Sequence, residues 1–128
     1  MKKILFIINP VAGGGKAKAL VPVIKGKMDK LDREYEIILT KGPKEAIKLA
    51  EDKVDDYDIV VAVGGDGTVN EVSRGLINKK KGILGIVPAG TGNDLAKLLG
   101  IPKNPSNALE LFLRAFLSLL FKALSPHL

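Results

Sequence analysis

Cysteine is absent from the 128 residues, so disulfides and thiolate metal sites are excluded and nothing argues for an oxidising compartment. Tryptophan is absent too, and aromatic residues make up only 5% of the chain. Base-stacking platforms of the kind that single-strand binders use are therefore not expected. Long apolar runs are also missing. Ile4 to Ile8 follows Met1-Lys2-Lys3 in the manner of a signal peptide, but Asn9-Pro10 ends the run after five residues. That is too short for a signal core, and no small-residue cleavage site follows. A first buried strand is the better reading, and a cytoplasmic protein the expectation.

What is present is the composition of a globular domain, with 46% hydrophobic and 27% charged residues, enough apolar side chain for a real core. The length suits one domain and leaves little room for a second. A net charge of +6 favours anionic partners: nucleotide phosphates, acidic membrane surfaces or nucleic acid. The densest basic stretch, Lys79-Lys80-Lys81, reads as a solvated turn, and no nucleic-acid partner is expected.

Apolar, β-branched runs alternate with helix-like segments. Continuous apolar runs mark strands covered on both faces, the signature of a parallel sheet between helices. Strands are expected near residues 3–9, 34–40, 57–63 and 83–88. Helices are expected over 16–32, 44–53, from Thr68 to about Asn78, and in a short segment to Leu99; Pro22 and Gly26 interrupt the pattern of the first. Strand, loop, helix, repeated four times, predicts an α/β doubly wound fold with a mostly parallel sheet and helices on both faces. Ligands of such sheets bind beyond the carboxyl ends of the strands. The loops after strands one, three and four are rich in Gly and Asn, and they share that rim.

The strongest signal is Val63-Gly64-Gly65-Asp66-Gly67-Thr68-Val69-Asn70-Glu71. Glycines let the backbone approach a ligand without a Cβ clash, and successive N–H groups can form a nest for phosphate oxygens. The helix that follows adds its positive end. A carboxylate beside phosphates would repel them, so Asp66 makes sense with Mg²⁺ or its water shell between, or as an acceptor from a hydroxyl. Its structural alternative is a tight turn with Asp as the helix cap. A second loop, Asn9-Pro10-Val11-Ala12-Gly13-Gly14-Gly15-Lys16, fails the P-loop pattern: Pro10 stands where a Gly belongs, and Ala17 replaces the hydroxyl. The dinucleotide fingerprint fails as well, because Asn70 and Leu95 occupy the third glycine's place after Gly65-x-Gly67 and Gly90-x-Gly92. Lys16 reads equally as a phosphate neutraliser and as a solvated lysine. The third loop, Pro88-Ala89-Gly90-Thr91-Gly92-Asn93-Asp94-Leu95, offers donors to a sugar or phosphate, with Asn93 or Asp94 reading equally as a helix cap.

Taken together, Asn9-Pro10…Gly13, Gly64-Gly65-Asp66-Gly67-Thr68-Val69-Asn70-Glu71 and Pro88-Ala89-Gly90-Thr91-Gly92-Asn93-Asp94-Leu95-Ala96 resemble the diacylglycerol kinase catalytic-domain family, which includes bacterial lipid kinases and sphingosine kinases. The Gly-Gly-Asp-Gly element is shared with NAD kinases and phosphofructokinases; its combination with the Pro-x-Gly-Thr-x-Asn-Asp element is narrower. The resemblance implies ATP bound across the rim and its γ-phosphate passed to a lipid hydroxyl at a membrane surface, the protein being cytoplasmic or peripheral to the membrane. Carried over by position, it implies nucleotide contacts from Asn9, Pro10, Val11, Ala12, Gly13, Thr40, Gly65, Asp66, Gly67, Thr68, Val69, Asn70, Glu71 and Thr91. Asp66 would organise Mg²⁺ and the phosphates. The family's acceptor pocket, further Mg²⁺ ligands and general base lie in a following β-rich domain that this sequence is too short to contain, so no catalytic base is named. Residues 1–111 are thus expected to form a nucleotide-binding domain. Two other functions stand beside the lipid kinase: an NAD kinase-like enzyme with a soluble acceptor, and a non-catalytic nucleotide-binding module that acts with a partner chain.

Residues 112–128 depart from the family pattern as an apolar C-terminal helix. Glu110, Arg114, Ser118 and Lys122, spaced by four, make one narrow polar stripe, and the rest is apolar nearly all round. Such a helix needs cover. It can pack on the sheet, form a homo-oligomer interface through residues 108–124, or lie on a membrane surface.

Overall fold

The computed structural model describes residues 3–31, 33–90 and 92–124, with side chains of the last helix through residue 115. Four strands, β1 (Ile4–Ile8), β2 (Tyr35–Leu39), β3 (Ile59–Gly64) and β4 (Ile83–Pro88), form one sheet in the order β2-β1-β3-β4. Every pairing is parallel, with Ile8 level with Val63 and Gly64 level with Pro88. The composition of each strand follows from its place. Central β1 and β3 are wholly buried and wholly apolar apart from Gly64, whereas edge strand β2 carries Glu36 and is only partly covered.

Side chains alternate between faces along each strand. Ile4, Phe6, Ile8, Val61 and Val63 share one core with α2 (Val21–Leu31) and α6 (Pro105–Leu124). Leu5, Ile7, Val60 and Ala62 share the other with α3 (Glu45–Lys53) and α4 (Asp66–Lys79). Helices on both faces complete the doubly wound α/β arrangement. A short α5 (Asp94–Leu98) follows β4.

The helix expected over 16–32 is broken in two. A 3-10 turn (Ala12–Gly15) and α1 (Lys16–Ala19) precede α2, in which Pro22 is the second residue. A proline in the first turn costs no hydrogen bond, since the N–H groups there lack helical partners anyway.

The C-terminal helix begins at Pro105 and runs unbroken past residue 111, where the expected domain boundary lay. Of the three fates open to it, its described first half takes the sheet. Ala108, Leu109 and Leu113 are buried in the first core, Phe112 meets Phe6 edge to face at 6.3 Å, and Glu110 pairs with Lys27 of α2. Gly85 of β4 makes room for Phe112, for an added Cβ would stand 3.0 Å from its ring. Arg114 stays exposed, while Ser118 and Lys122 lie outside the described side chains.

Candidate functional site

The chain runs from β1 outward to β2, then returns past β1 to β3. The carboxyl ends of β1 and β3 therefore flank a switch point of the kind at which open parallel sheets leave a crevice. Asn9 ends β1 there: its N–H donates to the Val63 carbonyl, and its side-chain carbonyl accepts from the Val11 N–H at 3.3 Å.

Three loops of this rim touch through glycine. Gly13 has φ +62°, and a Cβ on it would lie 2.1 Å from the Ala89 carbonyl oxygen. A Cβ on Gly90 would lie 2.3 Å from the Gly65 Cα, so the loops after β3 and β4 meet backbone to backbone. Gly92 borders the Asp66 carboxylate, whose Oδ2 would be 2.8 Å from an added Cβ. These approaches, and not tolerance of turns alone, are what glycine supplies here. Asn93, in the left-handed region at φ 56° and nearly buried, ties the third loop by donating its side-chain amide to the Gly90 carbonyl at 2.8 Å. It holds the cap position before α5, in keeping with one of its two readings, but its side chain makes no capping hydrogen bond. The cap reading of Asp66 does not hold. Gly65 takes the capping position, and Asp66 is the first residue of α4.

The sequence-predicted residues fall into two hollows and a seam. Asn9, Pro10, Val11, Thr40, Thr68 and Glu71 line a cleft of about 350 Å³. Asp66, Val69 and Asn70 line a neighbouring hollow with Ser73, Asp94 and Leu95. Ala12, Gly13, Gly65 and Gly67 line neither; Gly13 and Gly65 make the seam. Val69 is 94% buried and belongs chiefly to the core beneath α4, a packing role that its place in the motif concealed. Thr91 lies outside the described residues. Lys41, Gly42 and Pro43, after β2, also line the cleft. They are not among the expected site residues, although their place at a strand's carboxyl end was the available signal.

The first intrahelical bond of α4 is from Val69 N–H to the Gly65 carbonyl at 3.1 Å. The N–H groups of Asp66, Gly67 and Thr68 thus precede the ladder, at the positive end of a 14-residue helix. That end suits a phosphate. Among the described residues no hydrogen bond or ion pair engages the Asp66 carboxylate, and no group of three or more His, Cys, Asp or Glu gathers to hold a metal. Asp66, with Asp94 the one other carboxylate described in its hollow, fits a Mg²⁺ held mainly by nucleotide phosphates and water, and does not fit a cage built wholly from protein. No helix among the described residues is long and apolar enough to cross a membrane.

Comparison with known proteins identifies relatives of the chain and of its fold. Residues 3–118 match the family profile of the diacylglycerol kinase catalytic domain. A diacylglycerol kinase of Staphylococcus aureus is 34% identical over 114 residues, which are 88% of this chain and 36% of that protein. One of Staphylococcus saprophyticus is 31% identical over 119 residues, covering 91% and 39%. The crystal structure of a diacylglycerol kinase from Bacillus anthracis superposes with a TM-score of 0.80 at 32% identity, covering 89% of this chain and 40% of that one. The chain spans well under half the length of these relatives.

Proposed function

Since the chain belongs to the diacylglycerol kinase catalytic-domain family, we propose that its carboxyl rim binds ATP for transfer of the γ-phosphate to a lipid hydroxyl, and that the chain supplies the nucleotide-binding portion of that activity. The observation that carries this reading is the junction of the cleft with the start of α4. Thr68 and Glu71 line the cleft, and Thr68 lies in the first turn of α4, where the N–H groups of Asp66, Gly67 and Thr68 precede the hydrogen-bond ladder. A triphosphate there meets the helix dipole and backbone donors at once. Asn9 and Thr40 enclose the rest of the nucleotide. Phosphoryl transfer depends chiefly on positioning and charge neutralisation, which a rigid seam of glycine contacts favours. Asp66 is the side chain that would hold Mg²⁺, which when bound would offset the negative charge of the phosphates. The lipid acceptor is inferred from the activity for which the relatives are named, and the residues that would bind or deprotonate it are not assigned to this chain.

Calorimetric titration with Mg·ATP tests the reading. Saturable binding is expected, and Asp66→Ala should weaken it at least tenfold, on the order of a lost charge-assisted contact. A folded parent chain that takes up no nucleotide would sink the proposal. Once binding is established, labelled product from a diacylglycerol assay supplied with the rest of a family member should partition into organic solvent; label that remains in water points to a soluble acceptor instead.

A further inference from the structure

A second cavity lies beside the Gly65–Gly90 seam. It has a volume of about 370 Å³ and is lined by Lys16, Pro88, Ala89, Gly90, Lys103 and Asn104, among others. Lys16 opens α1, and Lys103 lies in the segment between α5 and α6, so two lysines far apart in sequence line one hollow. Among the described residues no carboxylate lines it. Among the described residues neither lysine forms an ion pair; the lysines that do, Lys3, Lys27, Lys53 and Lys81, all lie elsewhere. Two lysines thus contribute to the wall of one hollow with no described counter-charge in it, and a hollow walled by one sign of charge concentrates ions of the other. Neither lysine lines the nucleotide cleft.

From this juxtaposition we infer that the Lys16–Lys103 cavity is a second anion site that takes a phosphate monoester. Such a group is close to dianionic at neutral pH and matches two point charges that need no fixed bidentate geometry. Polar Asn104 and the half-buried backbone of Gly90 complete a lining able to meet its remaining oxygens. The group can arrive as free phosphate or as the headgroup of a phosphorylated lipid. The inference stands apart from the nucleotide reading: loss of Mg·ATP binding in Asp66→Ala reports on the cleft, and the lysine variants below report on this cavity.

Titration with inorganic phosphate at constant ionic strength tests it, on the parent chain, on Lys16→Ala/Lys103→Ala, and on Lys18→Ala. Lys18 is an exposed lysine two residues away that does not line the cavity. The double variant should bind about tenfold more weakly, while Lys18→Ala should change the constant less than about twofold, the usual worth of an exposed charge. Lys103→Arg should retain binding. In a parallel arm, flotation is measured with phosphatidylcholine vesicles containing phosphatidic acid. An effect of the double variant on the vesicles alone assigns the site to lipid headgroups, and on inorganic phosphate alone to the free ion. If the double variant behaves as the parent in both arms, or Lys18→Ala loses as much as it does, the inference is overturned. Thermal unfolding of each variant confirms that the protein is folded, which the exposure of these lysines leads one to expect.

Discussion

The two ends of the sheet are built on opposite terms. At the amino ends of the strands charges are spent on one another: Lys3 pairs with Glu34, Lys81 with Asp55, and Glu36 accepts from Tyr57 while lying 3.7 Å from Lys53. At the carboxyl ends, Lys16, Lys41, Asp66, Glu71 and Lys103 form no ion pair among the described residues, and order comes instead from glycine backbones in contact. The fourth ion pair, Lys27 with Glu110, joins two helices and belongs to neither end. One end is closed by side chains. The other is closed chiefly by main chain and by the uncharged ties of Asn9 and Asn93, which leaves Lys16, Lys41, Asp66, Glu71 and Lys103 for something that is not protein.

The sharpest way to break that comparison is to put a methyl group into the seam. Gly13→Ala meets two costs: a left-handed backbone at φ +62°, and a carbonyl oxygen 2.1 Å from the new Cβ. Together they should destabilise the fold by about 3 kcal/mol, lowering the thermal midpoint by roughly 10 °C. Gly14→Ala is the control, with φ +67° but open space around its Cβ, and should cost only about 1 kcal/mol. Equal midpoints for the two variants would mean that the seam does not hold the rim together.

The seam is the part of the molecule that the sequence did not show. Runs such as Ile4–Ile8 announced buried parallel strands, and Gly64-Gly65-Asp66-Gly67 announced a loop at a strand's carboxyl end, because both are local patterns. That Gly13 touches Ala89, or that Lys103 shares a hollow with Lys16, depends on chain segments far apart in sequence, and composition carries no trace of it. The break between α1 and α2 was hidden for another reason. Pro22 is compatible with either a kink or a helix start, and only its place in the first turn decides. Helical spacing likewise marked the apolar faces of residues 108–124 but could not choose their cover. Burial of Leu109 and Leu113 against the first core does so for the described side chains, up to residue 115.

At the amino end the prediction runs through side chains. Glu36→Gln keeps an acceptor for Tyr57 but removes the charge that strengthens this bond and attracts Lys53. A loss of about 1 kcal/mol, read from the urea midpoint, is expected. The same cluster gives a pH signature. Partial burial, and then the hydrogen bond to Glu36, push the Tyr57 phenol up to about 12. Between the usual tyrosine value near 10 and about 12, the unfolded chain releases a proton that the folded chain keeps. Stability contributed by Tyr57 is therefore complete below pH 10 and lost as pH rises towards 12. Tyr35, also raised by burial and by Asp29, acts in the same sense. Tyr57→Phe should flatten part of this alkaline decline, and equal slopes for parent and variant would show that the phenol is not held by the fold.

The smallest effect is the most telling. Asp66 is half-buried at the first turn of α4, where a carboxylate favours the helix by a few tenths of a kcal/mol. No described partner depends on it. Asp66→Asn should therefore leave the unfolding free energy within about 0.5 kcal/mol of the parent, even though the same change should cost nucleotide affinity. A loss of well over 1 kcal/mol would mean that the carboxylate serves the fold, and that the carboxyl rim is no more open-handed with its charges than the amino end. A null effect on folding, beside a large one on Mg·ATP, is what a residue kept for a ligand produces, for its energetic return comes only when the ligand arrives.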